Sequence, residues 1–167
     1  HGSASGLDVA TISSEFPVSF VKPQAIVPIK NKLNGFLLII DTGETGNTRE
    51  AVAKVRQQVL AETQKKELID HLGNQARKGI IAWQQQDILT FGKLMDKAQV
   101  DLDKFGLATS KIKRIVKIAK KNGALGTKLS GSGLGGIVIS LAQTKATAEQ
   151  IAHAVASHAT NIFIEEI

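Results

Sequence analysis

The chain has 167 residues, of which 43% are hydrophobic, so it is long and apolar enough to fold around a core and is not typical of a disordered segment. It contains no cysteine, which excludes disulfides and thiolate metal sites, and no apolar run approaches the ~20 residues that span a bilayer. The 21 Lys and Arg against 15 Asp and Glu give a net charge of +6, which suits an anionic partner such as a phosphorylated ligand or a nucleic acid.

The first eight residues are small and rich in glycine, which predicts a loop. They begin with a histidine rather than a methionine, and we therefore interpret the chain as part of a longer protein. Asp8 closes this segment. A carboxylate among small residues can approach a substrate hydroxyl and accept or orient its proton, although an aspartate in this position can equally be a turn or helix-cap residue.

Three stretches of strand-like composition follow, at 9–14, at 18–29 and at Phe36–Asp41. The third is a continuous apolar run, which predicts a central strand buried on both faces. The Asp41-Thr42-Gly43 sequence at its end is also how aspartic proteases present a catalytic carboxylate. The all-β chain and the second carboxylate that such enzymes need are missing, so a turn is the simpler interpretation.

A helical block comes next. Asn47 has the form of a helix N-cap, and Glu50 three residues later completes a capping box. Further helices are predicted at 65–84, 86–104 and 110–122. In the last of these, apolar residues recur at helical spacing and leave the lysines on the outer face, which favours a solvated helix surface over a nucleic-acid site.

The pattern then returns to strands. Residues 126–130 and 137–142 are strand-like, and a glycine loop connects them. Thr147 has the form of a second N-cap, which starts a helix through roughly residue 157, and the chain ends on a strand. This order predicts an α+β fold, in which a ferredoxin-like, split βαβ sandwich contains the inserted helical block.

The glycine loop is the strongest local signal for a ligand site. It reads Lys128-Leu129-Ser130-Gly131-Ser132-Gly133-Leu134-Gly135-Gly136. Closely spaced glycines let ligand oxygens approach the backbone, and their N–H groups can form an anion nest. A glycine-rich hairpin without a ligand is the structural alternative. The loop also contains G-x-G-x-x-G, but the strand after it excludes a dinucleotide-binding loop, and the lack of Gly-Lys-Ser/Thr excludes a Walker A loop.

Taken together, the opening and the glycine loop resemble the GHMP kinase family, whose members phosphorylate small alcohols with ATP. The opening, His1-Gly2-x-x-Ser5-Gly6-x-Asp8, is similar to the family segment with the catalytic aspartate, and the loop is similar to Lys-Leu-Thr-Gly-Ala-Gly-x-Gly-Gly. The opening and the Asn47-Thr48-Arg49 junction resemble the members that act on mevalonate. Small departures from the usual residues occur at Ala4, Ser130 and Ser132.

The resemblance implies ATP-dependent phosphorylation of the primary hydroxyl of mevalonate. Asp8 would be the catalytic base or orienting carboxylate, and Thr48 would contact the substrate. The phosphates and the substrate would lie close to Ser130, Gly131, Ser132 and Gly133. An N-terminal domain outside this chain would bind ATP and supply a lysine and the Mg²⁺ ligands, so we expect no metal ligand in this chain and no activity from it alone. Residues 1–45 would belong with that domain, and residues 46–167 would form the C-terminal domain.

Two alternatives remain open. The substrate could be that of another GHMP kinase, such as phosphomevalonate, homoserine or galactose. The chain could also be a basic ferredoxin-like module that binds nucleic acid, which the scarcity of aromatic residues disfavours. We expect a cytoplasmic protein without a membrane partner, and self-association through the apolar surface that a separated domain exposes.

Overall fold

Two antiparallel sheets form the strand part of the fold. A computed structural model describes residues 6–21, 26–30 and 32–167. In these ranges, β1 (Val18–Ser19) pairs with β2 (Val27–Pro28) in a small separate sheet. The main sheet contains β3 (Phe36–Asp41), β4 (Gly126–Ser130), β5 (Ile137–Ala142) and β6 (Asn161–Glu166), in the order β4-β5-β3-β6 with every pair antiparallel.

Six α-helices accompany these strands in the described part of the chain. They are α1 (Leu7–Ile12), α2 (Thr48–Ala61), α3 (Thr63–Gln84), α4 (Ile88–Lys104), α5 (Ser110–Lys121) and α6 (Lys145–Val155). The α+β prediction is confirmed, and the helices predicted at 65–84, 86–104 and 110–122 agree with α3, α4 and α5 to within two residues at each end. The ferredoxin-like description stays a prediction, and the order strand, helices, strand, strand, helix, strand is the one that it requires. No helix in the described ranges is both long and apolar enough to cross a membrane.

One face of the main sheet is sealed by α5 and α6. Ile112 and Ile115 of α5 and Ile151 of α6 have no exposed surface. They belong to one cluster with Leu38, Ile40, Leu129 and Val138 of the sheet. Burial of each such side chain stabilises the fold by about 1.5–3 kcal/mol, so this face contains the main core.

The prediction for β3 was right about its position and wrong about its burial. The strand lies between β5 and β6, as a central strand should. Leu38 and Ile40 are fully buried, but the alternate residues Leu37 and Ile39 are only half-buried. The physical reason is that the second face of the sheet has only partial cover, from a smaller cluster around Leu33, Ile88 and Met95.

Side chains of α4 cover the edge strand β4. The Thr127 N–H donates to Asp96 Oδ1 at 2.9 Å, and the Leu129 N–H donates to Gln99 Oε1 at 2.7 Å. An edge strand otherwise presents such N–H groups to solvent or to another chain. The inserted helices therefore satisfy the edge of the sheet as well as packing beside it.

The two predicted helix caps have different outcomes. Asn47 is the N-cap of α2, and its side chain accepts from the Glu50 N–H at 3.2 Å, which confirms the first. The second was wrong because Thr144, not Thr147, caps α6 and accepts from the Thr147 N–H. Because β5 ends at Ala142, the earlier threonine is the one in position to begin the helix.

The strand predicted at 9–14 was also wrong, because these residues mostly lie in helix α1. Gly6 precedes the helix with φ of 87°, and the hydroxyls of Thr11 and Ser13 donate to carbonyls four residues earlier. Local side-chain bonds of this kind compete with strand pairing. Of the stretch predicted at 18–29, the short strands β1 and β2 are present, while residues 22–25 lie outside the described ranges.

Candidate functional site

The glycine loop connects β4 to β5 and has an unusual backbone. The values of φ are positive at Gly131, Gly133, Leu134, Gly135 and Gly136. Ser132, between two of these glycines, is not among the residues with positive φ. The sign of φ alternates over Gly131, Ser132 and Gly133, and alternation of this kind turns successive N–H groups to one side, as in an anion nest.

Close packing explains why two of these positions are glycine. A Cβ atom on Gly133 would lie 2.7 Å from Leu107 O, and one on Gly135 would lie 2.7 Å from Glu44 O. Neither distance is possible for a real side chain. The loop therefore lies directly against the segment before α5 and the segment after β3.

Hydrogen bonds hold the loop in this position. The Leu134 N–H donates to Leu107 O and the Gly136 N–H donates to Glu44 O, both at 2.7 Å, and the Thr42 N–H donates to Gly136 O. Four other loop N–H groups have no acceptor among the described residues; they are those of Gly131, Ser132, Gly133 and Gly135. These groups are available to the oxygens of an anionic ligand.

Thr48 and Ser132 meet at the mouth of the loop. Thr48 is the first residue of α2, and its Oγ1 lies 3.2 Å from Ser132 Oγ although the two residues are 84 positions apart in sequence. The N-terminus of α2 adds the partial positive charge of a helix end. The structure thus brings together two residues that the sequence analysis selected from separate segments.

A further set of contacts fixes the segment after β3, and the sequence analysis missed it. Thr109 Oγ1 donates to Glu44 Oε2 at 2.5 Å, and Lys111 Nζ donates to Thr42 O. Thr109 is also the N-cap of α5 and accepts from the Ile112 N–H. A threonine directly before an amphipathic helix is a recognisable N-cap, but its bond to Glu44 has no signal in the sequence.

Asp41 is the last residue of β3 and its side chain holds the turn that ends the strand, in agreement with the simpler interpretation of its motif. Its Oδ1 accepts from the Gly43 N–H at 2.8 Å, and this bond is the main reason that its pKa is lowered. In the described part of the chain, no group of three or more His, Asp or Glu side chains is arranged to hold a metal ion.

The other predicted site residues are those of the glycine loop and Asp8. Ser130, Gly131, Ser132 and Gly133 lie together at the end of β4 and in the loop. An apolar groove of about 450 Å³ reaches Gly131 and Ser132 from α2 and α3, with Arg56 among its lining residues. Asp8 is in α1, but its side chain lies outside the described part of the structure. The catalytic role of Asp8 therefore stays a prediction. Residues 1–5, which include Ala4, also lie outside the described residues.

Comparisons with known proteins agree with this architecture. The family model for the GHMP kinases C terminal matches residues 76–161, about half of the chain. A mevalonate kinase of Aeropyrum pernix is 32% identical over 143 residues, which cover 84% of this chain and 44% of that protein. The chain thus spans less than half of the length of this curated relative.

Solved structures show the same fold. The crystal structure of L. major mevalonate kinase in complex with R-mevalonate matches with a TM-score of 0.87 at 24% identity, over 99% of this chain and 54% of that chain. Streptococcus pneumoniae phosphomevalonate kinase in complex with phosphomevalonate and AMPPNP matches with a TM-score of 0.74 at 18% identity, over 98% of this chain and 56% of that chain. With its sheet, its glycine loop and the matched family model, the chain belongs to the GHMP kinase family and contains the C-terminal domain of that family.

Proposed function

We propose that this chain is the substrate-side part of a kinase that transfers the γ-phosphoryl group of ATP to the primary hydroxyl of mevalonate. The observation that carries the proposal is the meeting of Thr48 and Ser132 beside the glycine loop, where two segments distant in sequence form one polar surface. The relatives named mevalonate kinase support the choice of substrate.

The polar groups at the loop suit phosphoryl transfer, which depends on positioning and on stabilisation of negative charge. The N–H groups of Gly131, Ser132 and Gly133 can donate to phosphate oxygens, and the α2 N-terminus adds a favourable dipole. The hydroxyls of Thr48 and Ser132 can orient the substrate. Asp8 would accept the proton of the attacking hydroxyl or orient that hydroxyl.

The residues present fit ATP phosphates but offer little to Mg²⁺. Glu44 is the carboxylate that lies against the loop in the described ranges, and it is engaged with Thr109. We therefore propose that the metal ligands and most of the ATP site come from the rest of the polypeptide. When bound, Mg²⁺ would neutralise charge on the phosphates.

The division into domains also remains a proposal. Residues 46–167 would form most of the C-terminal domain, and the residues before β3 would pack with the remainder of the kinase. We count β3 in the C-terminal unit, because it pairs with β5 on one side and β6 on the other. The exposed apolar side chains of Val9, Ile12 and Val27 suit burial against a further domain.

Phosphorylation by the full-length polypeptide tests the proposal. We expect ATP-dependent phosphorylation of mevalonate in a panel with phosphomevalonate, homoserine and galactose. Asp8→Asn should lower kcat by about 100-fold or more, since proton transfer by a positioned side chain contributes at least that much. A preference for phosphomevalonate, whose kinase shares this fold, would show that the proposed substrate is wrong and leave the family assignment unchanged. The absence of phosphorylation of every alcohol in the panel would contradict the proposal.

The contact between Thr48 and Ser132 can be tested separately with a double-mutant cycle. Thr48→Ala and Ser132→Ala should each lower kcat/KM by about twofold to tenfold. This is the change expected from the loss of one hydrogen bond, either to the substrate or between the two hydroxyls. Their effects should not add, because the residues are in contact. Thr63→Ala, an exposed threonine that begins α3, is the matched control and should leave kcat/KM unchanged.

A further inference from the structure

A second cavity lies behind the glycine loop, on the partly covered face of the main sheet. It has a volume of about 450 Å³ and lies between α3, α4 and β4, with Pro17 and Ile29 contributing from the first part of the chain. The wall is mostly apolar and includes the edge-to-face pair of Trp83 and Phe91. Small-molecule sites are typically apolar cavities of this size with a few polar groups.

Two polar side chains, Lys128 and Gln75, lie in this wall. Burial lowers the pKa of the Lys128 ammonium, and its hydrogen bond in the described part of the chain is to the neighbouring carbonyl of Leu129. None of the described lining residues is an aspartate or glutamate. Among the described residues the lysine is therefore a partly desolvated cation without an anionic partner, which is unfavourable unless an anion joins it.

Gln75 offers the second polar point. Its Nε2 donates to Asp101 Oδ2 at 3.0 Å, whereas its Oε1 is buried without a donor among the described residues. Buried polar atoms in folded proteins are nearly always paired, so this acceptor is a place for a hydrogen-bond donor such as a water molecule beside the bound ligand.

We propose that this cavity binds an aliphatic monocarboxylate, with its chain against the apolar wall and its carboxylate at Lys128. The assignment rests on charge complementarity and on the apolar lining. Leu72, Leu102 and Gly131 line this cavity as well as the groove beside α2, so the two spaces adjoin and an occupant would contact the glycine loop at Gly131.

The chain contains two built-in reporters for this test. It has one tryptophan and one methionine, and both Trp83 and Met95 line the cavity. Titration with octanoate should give saturable changes in the fluorescence of Trp83 and in the methyl NMR signal of Met95. Octanol is the uncharged comparison. We expect octanoate to bind about tenfold tighter or more, because a hydrogen bond between its carboxylate and the Lys128 ammonium is stronger than one to a neutral hydroxyl.

Substitutions distinguish the contribution of the Lys128 charge to binding from that of the cavity volume. Lys128→Gln should remove the preference for octanoate while octanol still binds, and Lys128→Arg should keep the preference. Lys117→Gln changes an exposed lysine of α5 and is the matched control, with no expected effect. Ala98→Phe, which fills the cavity, should weaken both probes by about tenfold or more.

Three results would overturn the proposal. They are the absence of saturation at both reporters, equal affinities for octanoate and octanol, and an unchanged octanoate preference in a folded Lys128→Gln variant. Should that variant fail to fold, Ala98→Phe still decides the matter, since unchanged octanoate binding in the filled cavity would place the ligand elsewhere.

Discussion

The two faces of the main sheet differ in how completely they are covered. On one face, α5 and α6 leave Leu38, Ile40 and Ile115 without exposed surface. On the other, Ile39 is half-buried, Phe163 is 56% exposed, and Lys128 lies in the wall of a cavity. Stability is therefore concentrated on the sealed face, whereas the partly open face has space for a ligand.

The largest expected effect is on the sealed face. Ile115→Ala should lower the free energy of unfolding by about 2–5 kcal/mol, because it leaves a cavity among fully buried side chains. Phe163→Ala on the opposite face is the matched control, with an expected loss of about 1 kcal/mol or less. Urea denaturation measures both, and equal losses would show that the two faces do not differ in this way.

A smaller effect is expected at the edge strand that borders both faces. Gln99→Ala removes the acceptor of the Leu129 N–H and should lower the free energy of unfolding by about 1–3 kcal/mol. The exposed neighbour Lys97→Ala on the same helix should change it little. Hydrogen exchange at the Leu129 amide should become faster in the first variant alone; unchanged exchange there would contradict protection of the edge by α4.

The smallest effect is the pH dependence that Lys128 contributes. Because burial lowers its pKa below 10.5, the folded state loses this proton before the unfolded state does. The free energy of unfolding should therefore rise as the pH increases from the folded pKa towards the ordinary value, while the charged lysine is destabilising at lower pH. The side chain is only half-buried, so solvent screening keeps the change small. Urea unfolding of the parent and of Lys128→Gln over this alkaline range should show the rise only in the parent.

Features that depend on near neighbours in the chain could be predicted from local sequence patterns. The spacing of glycines specified the loop between β4 and β5, and Asn47 with Glu50 specified the start of α2. The amphipathic pattern of α5 specified which of its residues enter the core. The family resemblance followed from the same local motifs, because each motif extends over fewer than ten or so residues and its geometry is set within that length.

Contacts between groups from distant segments depend on long-range packing and could not be predicted from local patterns. The contact of Thr48 with Ser132, the bond of Thr109 to Glu44 and the surroundings of Lys128 all join residues far apart in sequence. The sequence also did not predict that only one face of β3 is fully buried. Phe-Leu-Leu-Ile-Ile is apolar at every position, and the burial of each face depends on which elements cover it. Patterns along a chain specify what a segment can form, and long-range packing determines what it touches.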